Sequence, residues 1–554
     1  MSFALDNISY KYSPDADYVL TKVSFTVKPK QITAIVGRSG CGKSTLVNVL
    51  SGVIPELMTK GVLEGQLKVE ENALVSVVSQ TPENQLFGYG VEDALAFGVE
   101  NMGLSSQEVH ERVDYVLDLL QIHHLRKRAV ATLSGGQRQV VCIASVLAMR
   151  PDVVIMDEPV SSLDPQGKAM VQSVLNRLRT TGQTTVIVDN NLDWSSEIVD
   201  HIIGLDQGQI VFDGSKKEFF RDFNNQEKLA VIMPQEVELY HRLSEKISGI
   251  DYFESVDEAV TQLGPRIDQN AAARLVEVQE IVNDRVVAVE RLSKKFQDGF
   301  QALQNVTAHF DEGQVISILG QNGSGKTTLV KHLNGLLHPT EGKVTYLGKE
   351  TMGKTVAQIS RDIILVFQHP EHMLFEETVL KELTFCARAQ NISFNEEEAL
   401  AVLEKYDLLQ DKDELPVNLS MGKKHLLTIL SVLFSSARVI ILDEPTLGMD
   451  LRLRMHLENI IDHLKSQGKT VIMISHEIPF VFKVSDQLLL LSQAKKMGEG
   501  TKQELAQQHS IFDDVHITMP PVITLSKRIG LTPVACDVAE FVDMFVKCCK
   551  SSTV

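Results

Sequence analysis

No apolar run in this chain reaches the roughly 18 residues that a bilayer-spanning helix needs. The opening MSFALDNISY also lacks the basic start and apolar core of a secretory leader. The expectation is a chain in the cytosol, or one held at a membrane by partners. Cysteine is sparse and scattered: Cys41, Cys142, Cys386, Cys536, Cys548 and Cys549 form no CxxC and no metal-ligand spacing, so they read as reduced thiols. Basic charge is short as well. A net charge of −18 argues against a nucleic-acid or ribosome binder, which needs basic faces to neutralise phosphates. What is present is ordinary globular composition, with 44% hydrophobic and 23% charged residues. At 554 residues the chain exceeds what one core serves, so about two to four domains are expected.

Self-similarity organises the rest. GRSGCGKST at 37–45 returns as GQNGSGKTT at 320–328, VVIMDEP at 153–159 as VIILDEP at 439–445, and QTPENQLF at 80–87 as QHPEHMLF at 368–375. MPQEVELYHRL at 233–243 returns loosely as MPPVITLSKRI at 519–529, so the repeat spans the chain. The halves divide near 280, giving a core over 1–232, a helical tail and linker over 233–280, a second core over 281–515 and a second tail over 516–554. GPRIDQNAAARLVEVQE is the expected linker. Short β-branched strands such as QITAIVG and TTVIVD alternate with helical segments in each half, which predicts α/β domains with mostly parallel sheets. Val140, Ile143, Ala144 and Leu147, and again Leu426, Ile429, Leu430 and Leu433, fall at i, i+3, i+4, i+7 and read as core faces.

The pattern GxxxxGK[ST] after a strand makes a phosphate-binding loop, whose glycines turn backbone N–H groups inward at a helix N-terminus. The loops are Gly37, Arg38, Ser39, Gly40, Cys41, Gly42, Lys43, Ser44 and Thr45, and Gly320, Gln321, Asn322, Gly323, Ser324, Gly325, Lys326, Thr327 and Thr328. Lys43 and Lys326 would reach the β and γ phosphates, and the hydroxyls of Ser44 and Thr327 would hold Mg2+. The apolar strands ending in Asp157-Glu158 and Asp443-Glu444 supply a second carboxylate to Mg2+, then a glutamate placed to polarise an attacking water. Two such loops with acidic partners downstream predict two nucleotide sites. A Cys41 thiol inside the loop, beside Lys43, is expected to be more reactive than a typical thiol.

TLSGGQRQVV at 132–141, lodged between phosphate loop and VVIMDEP, carries a resemblance to the ATP-binding-cassette ATPases that covers nearly all of both halves. It implies two tandem P-loop NTPase domains, each with a RecA-like core, a helical signature subdomain and a small helical tail. It places Tyr12 and Phe296 where an aromatic stacks on adenine, a core aromatic being the other reading of each. It also implies that Gln80 and Gln368 sense Mg2+ and a membrane partner, that His476 in VIMISHE contacts the γ phosphate, and that the halves pair head to tail. Ser134, Gly135, Gly136 and Gln137 would then close over one nucleotide, and Ser420 and Gly422 over the other. Catalysis falls to Glu444, His476 and Gln368, with Glu158 in the other site.

QTPENQLFGYGVEDALAFGVEN is similar to the ATPase subunits of energy-coupling-factor importers, prokaryotic uptake systems for vitamins and metal ions. That resemblance implies a transmembrane scaffold protein, a membrane substrate-binding protein, and a peripheral position on the cytoplasmic face of the membrane. Glu83 and Glu371 could face arginines of the scaffold, or could be solvated loop charges. The cargo is not encoded here; fused chains of this group resemble those assigned to thiamine-precursor uptake. A soluble tandem ATPase of translation or DNA maintenance is the alternative. It is disfavoured because the long charged linker, basic patches, coiled coil and zinc insertions of such proteins are missing. A regulatory module without turnover is opposed by Glu444 and His476 standing together.

The second signature, NLSMGKKHLL at 418–427, has Met421 for a glycine and Lys423 for glutamine, although Lys423 can still attract phosphate. Aligning TTVIVDNNL with KTVIMISHE puts Asn191 at the position of His476. With head-to-tail pairing both departures fall in one site, so one consensus and one degenerate ATP site are expected.

Overall fold

The computed structural model describes residues 3–68, 73–268 and 284–549. It divides into two compact units, 1–234 and 235–554. Most of the expected linker lies outside the described residues.

In the first unit a six-stranded sheet runs in the order Val75–Val78, Val153–Asp157, Thr184–Val188, Ile32–Val36, His201–Asp206, Gln209–Ser215. The first five strands are parallel and the last is antiparallel. Every residue of Ile32–Val36 is buried, as a central strand covered on both faces requires. A three-stranded antiparallel sheet, Leu20–Val27, Phe3–Lys11, Val62–Lys68, packs Ile8, Tyr10 and Val23 into one core with Ile35, Val186 and Ile203. The helices Val91–Glu100, Ser106–Leu120 and Gly135–Ala148 form the signature subdomain. The signature helix buries Val140, Ile143, Ala144 and Leu147, the predicted face.

The second unit repeats this plan. Its six strands are Ile363–Val366, Val439–Asp443, Thr470–Ile474, Val315–Leu319, Gln487–Ser492 and Lys495–Thr501. The smaller sheet is Gln301–Asp311, Arg285–Lys295, Glu341–Tyr346, Lys349–Glu350. The signature helix is Met421–Leu433, with Leu426, Ile429 and Leu430 buried and Leu433 half-buried. Among the described residues no helix is long and apolar enough to cross a membrane.

The unit boundary at 234/235 differs from a division into two equal halves. The tail helices of the first half, Gln235–Lys246 and Val256–Leu263, pack with those of the second, Pro521–Ile529 and Val538–Cys548. Leu239, Leu243, Phe253 and Leu263 share a continuous core with Val522, Leu525, Phe541 and Phe545. Helices this short cannot hide their apolar faces alone, so each pair covers the other. Lys246 and Asp543 pair at 2.9 Å, and Arg528 pairs with Asp257.

Candidate functional site

Each phosphate loop leaves the C-terminal end of a central strand. Gly37 and Gly320 pass so near the next strand that an added β-carbon would lie 2.0 Å from Leu205 O and 2.1 Å from Leu491 O, so only glycine fits. Lys43 Nζ donates to the carbonyls of Gly37 (2.6 Å) and Arg38 (3.0 Å), and Lys326 Nζ to those of Gly320 (2.7 Å) and Gln321 (2.9 Å). Nothing lies within 4 Å of a β-carbon at Gly40 or Gly323, so both loops open outward as an anion cradle.

Ser44 and Thr327 stand exposed at the second residue of the following helices, Lys43–Leu50 and Lys326–Leu333. Burial raises the Asp443 carboxyl above its ordinary range, opposed by a hydrogen bond with the Thr327 side chain and by Lys326. Burial raises Asp157 too, opposed by Lys43. A hydroxyl beside a carboxylate in a desolvated cleft fits Mg2+, which takes few protein oxygens and completes its shell with phosphate and water. Ser44 with Asp157, and Thr327 with Asp443, would hold the ion, which would supply charge neutralisation at the phosphates.

Glu158 and Glu444 follow these aspartates in the left-handed region, φ 44° and 51°, a strained backbone setting. Burial, then Asp189 and Asp157, pushes the Glu158 carboxyl up to about 7. Burial pushes Glu444 up as well, with Asp443 adding to the shift and Lys326 opposing it. The two carboxyls have different partners. Gln80 Nε2 donates to Glu158 Oε2 at 2.7 Å. Glu444 Oε2 accepts from the His476 backbone N–H at 3.1 Å, and His476 Nε2 lies 3.1 Å from both Glu444 Oε1 and Asn322 Oδ1.

Tyr12 and Phe296 each follow the first strand of their unit and are 41% and 38% exposed, which excludes the core reading of both. Tyr12 Oη and Thr45 Oγ1 are 2.8 Å apart, joining that ring to the phosphate-loop helix. Lys294 Nζ sits 5.5 Å from the Phe296 ring centroid.

The strand ladders correct the expected alignment of the switch segments. Ile32 pairs with Thr185 and Ile35 with Val188, whereas Val315 pairs with Val471 and Ile318 with Ile474. The residue two beyond each strand end is therefore Asn190 in the first unit and His476 in the second; Asn191 corresponds to Glu477. Matching the threonine-rich strand starts slipped the comparison by one residue. Equal spacing from Asp157 to Asn190 and from Asp443 to His476 was the available signal. Asn190 is buried, and its Oδ1 accepts from Gly37 N–H at 3.2 Å. Its neighbour Asp189 accepts from Asn191 N–H (2.9 Å) and from Trp194 Nε1–H (2.9 Å).

The signatures differ in construction. Ser134 caps its helix, accepting from Gln137 N–H at 3.3 Å while Gln137 Oε1 accepts from Ser134 N–H at 3.1 Å. Ser420 makes no side-chain cap bond. Lys423 Nζ pairs with Asp411 Oδ2 at 2.6 Å, within its own unit. Met421 is accommodated by Gly448, which takes φ 70° where the first unit has Ser162; an added β-carbon there would meet Met421 Cγ at 3.0 Å. Gly422 has no such freedom, since a β-carbon would lie 2.4 Å from Gly448 O.

Two further expectations change. Cys41 is buried and burial raises its thiol above the ordinary range despite Lys43, so it is not an activated nucleophile. Glu371 is paired with Lys424 within its own unit at 3.0 Å, which lowers its carboxyl. The side chain of Glu83 lies outside the described residues.

A family profile described as ABC transporter matches residues 20–161 and 303–447. The chain is 30% identical over 547 residues to an ABC transporter ATP-binding protein of Caldanaerobacter subterraneus subsp. tengcongensis, covering 95% of this chain and 96% of that one. It is 29% identical over 532 residues to the HMP/thiamine import ATP-binding protein YkoD of Bacillus subtilis, covering 93% and 94%. An archaeal ribosome recycling factor, solved with a ribosomal stalk protein, aligns at TM-score 0.58 and 20% identity over 91% of this chain and 92% of that chain. That likeness is one of fold alone.

Proposed function

The chain belongs to the ABC transporter family of ATPases, with two cassettes in tandem, and from that premise we propose that it is the energy-coupling subunit of an importer of the energy-coupling-factor type. It would lie peripherally on the cytoplasmic face of the membrane, bound to a transmembrane scaffold and a separate substrate-binding membrane protein. The observation that carries this reading is the apolar surface beside each Q-loop turn. Phe87 and Phe97 stack at 4.8 Å with both rings exposed, and Tyr89 next to them is 84% exposed. Phe375 repeats the feature 5.9 Å from Phe385 in the second unit. Aromatic side chains left in water beside the segments that sense nucleotide favour a protein partner there. The Bacillus relative is named for HMP/thiamine import, which makes a thiamine precursor the first cargo to test.

The two sites divide the work. Head-to-tail pairing of the halves would join the first phosphate loop, with Glu158 and Asn190, to the Met421 signature. It would join the second, with Glu444 and His476, to Ser134, Gly135, Gly136 and Gln137. The first site holds ATP and clamps; the second turns over. The experiment is affinity purification of the tagged chain from membranes, with Phe87→Ser/Phe375→Ser as control. Co-purification of an integral scaffold and a substrate-binding protein, lost in the double variant, is expected. Sedimentation with ribosomes and no membrane partner would overturn the importer reading.

A further inference from the structure

We propose that Asn190 is a positioning residue that ties the first phosphate loop to the segment 227–233, so that nucleotide in the first site is read where the chain leaves its ATPase core. The inference requires ATP binding only, whichever partner the protein serves. It rests on two contacts that converge on one segment. Asn190 reaches the loop with its side chain, Oδ1 accepting from Gly37 N–H at 3.2 Å. It reaches the segment with its backbone, its carbonyl accepting from Ile232 N–H at 2.8 Å while Ile232 O accepts from Leu192 N–H at 2.9 Å. That pair of bonds makes a short parallel bridge between Asn191 and Ile232. Independently, Arg38 of the loop donates from Nε to Lys228 O at 2.9 Å.

The segment is not a loose connection. Leu229, Ala230, Val231 and Met233 are buried, and the tail helix Gln235–Lys246 starts two residues after Met233. The far side of the bridge is fixed by Asp189, which holds both Asn191 N–H and the only tryptophan of the chain, Trp194. Phosphates held in the loop accept from its backbone N–H groups and so restrain the loop. Gly37 and Arg38 carry the two contacts, so a change in the loop is imposed on Lys228 and Ile232, and binding linkage makes the effect reciprocal. In the second unit the residue at this register, His476, is engaged with Glu444 and with Asn322 of the second phosphate loop. An amide at position 190 neither titrates nor relays a proton, yet it both accepts and donates, which suits a tie.

Amide hydrogen exchange of the full chain, with and without saturating ATP and Mg2+, tests this. In the native protein ATP is expected to slow exchange at Leu192 and across 228–233 by about tenfold, the scale of one hydrogen bond. Lys43→Ala should abolish that protection, whereas Lys326→Ala should leave it. Asn190→Ala and Arg38→Ala should each reduce it, and Arg38, reaching over the surface, gives a variant that does not disturb the core. Undiminished ATP-dependent protection in both Asn190→Ala and Arg38→Ala, or none in the native protein, would overturn the proposal.

Discussion

Glu158 and Glu444 occupy the same ladder position, yet one is held by Gln80 and the other by the His476 segment. Under the proposed division of labour Glu444 is the group that accepts a proton from water, and general-base catalysis contributes on the order of 10²-fold or more. Glu444→Gln is therefore expected to lower steady-state phosphate release from the assembled complex by about that factor or more. Glu158→Gln, in a site lacking the histidine, should cost far less; equal losses would remove the division of labour. At the level of single residues the sequence was most legible where backbone geometry demands a residue type, as at Gly37 and Gly320, where no β-carbon fits. It was least legible where a side chain's role depends on what faces it. Cys41 has a lysine two residues on and a glycine-rich loop around it, but burial outweighs both, and nothing in a linear spacing reports burial. The pairing of Lys423 with Asp411, twelve residues earlier, is a contact that no linear pattern announced.

The second signature helix shows how an element absorbs a substitution. Met421 is paid for by a left-handed turn at Gly448, in a loop that packs on the helix start. Gly448→Ala would force a β-carbon into φ 70° and against Met421, so a loss of about 2 kcal/mol in denaturant unfolding is expected. Ser162→Ala, exposed at the matching place, should stay within about 0.5 kcal/mol. Inside the same helix His425 is buried, and burial, with the nearby His369 adding, pushes its ring down to about 4. The unfolded chain then takes up this proton before the folded one does as pH falls. Stability from the neutral ring is complete above pH ~6.5 and is lost on the way down to about 4. Between pH 7.5 and 5 the loss should be about 2 kcal/mol. His425→Gln, which installs the residue found at Gln139, should flatten that part of the profile; an unchanged slope would show that other groups set it. The helix itself was readable from its apolar period. Its compensating glycine was not, because the pairing of Met421 with Gly448 is a contact between segments, not a pattern within one.

For the whole molecule, the repeat announced two ATPase cores but not that the first half's tail would fold with the second. Periodicity in Gln235–Lys246 marks an apolar face without saying what will cover it. The helices of both tails share one core, in which the exposed ion pairs Lys246–Asp543 and Arg528–Asp257 add little beside the apolar contacts. A fragment beginning at Gln235 is expected to be soluble and to unfold cooperatively. A fragment beginning at residue 281 would strip the cover from Val522, Leu525, Phe541 and Phe545 and should aggregate; light scattering of the two separates these outcomes. The joined tails also bear on ancestry. Separate subunits that meet through such helices must each keep a surface able to find the right mate among copies of themselves, and any specialist risks assembling with its own kind. When both tails belong to one polypeptide, stoichiometry is set at translation and encounter is replaced by a local concentration of about millimolar. Selection on self-association then lapses. Each cassette becomes free to lose what its mate retains, and a histidine or a signature glycine can disappear from one half without ever producing a complex in which both sites lack it.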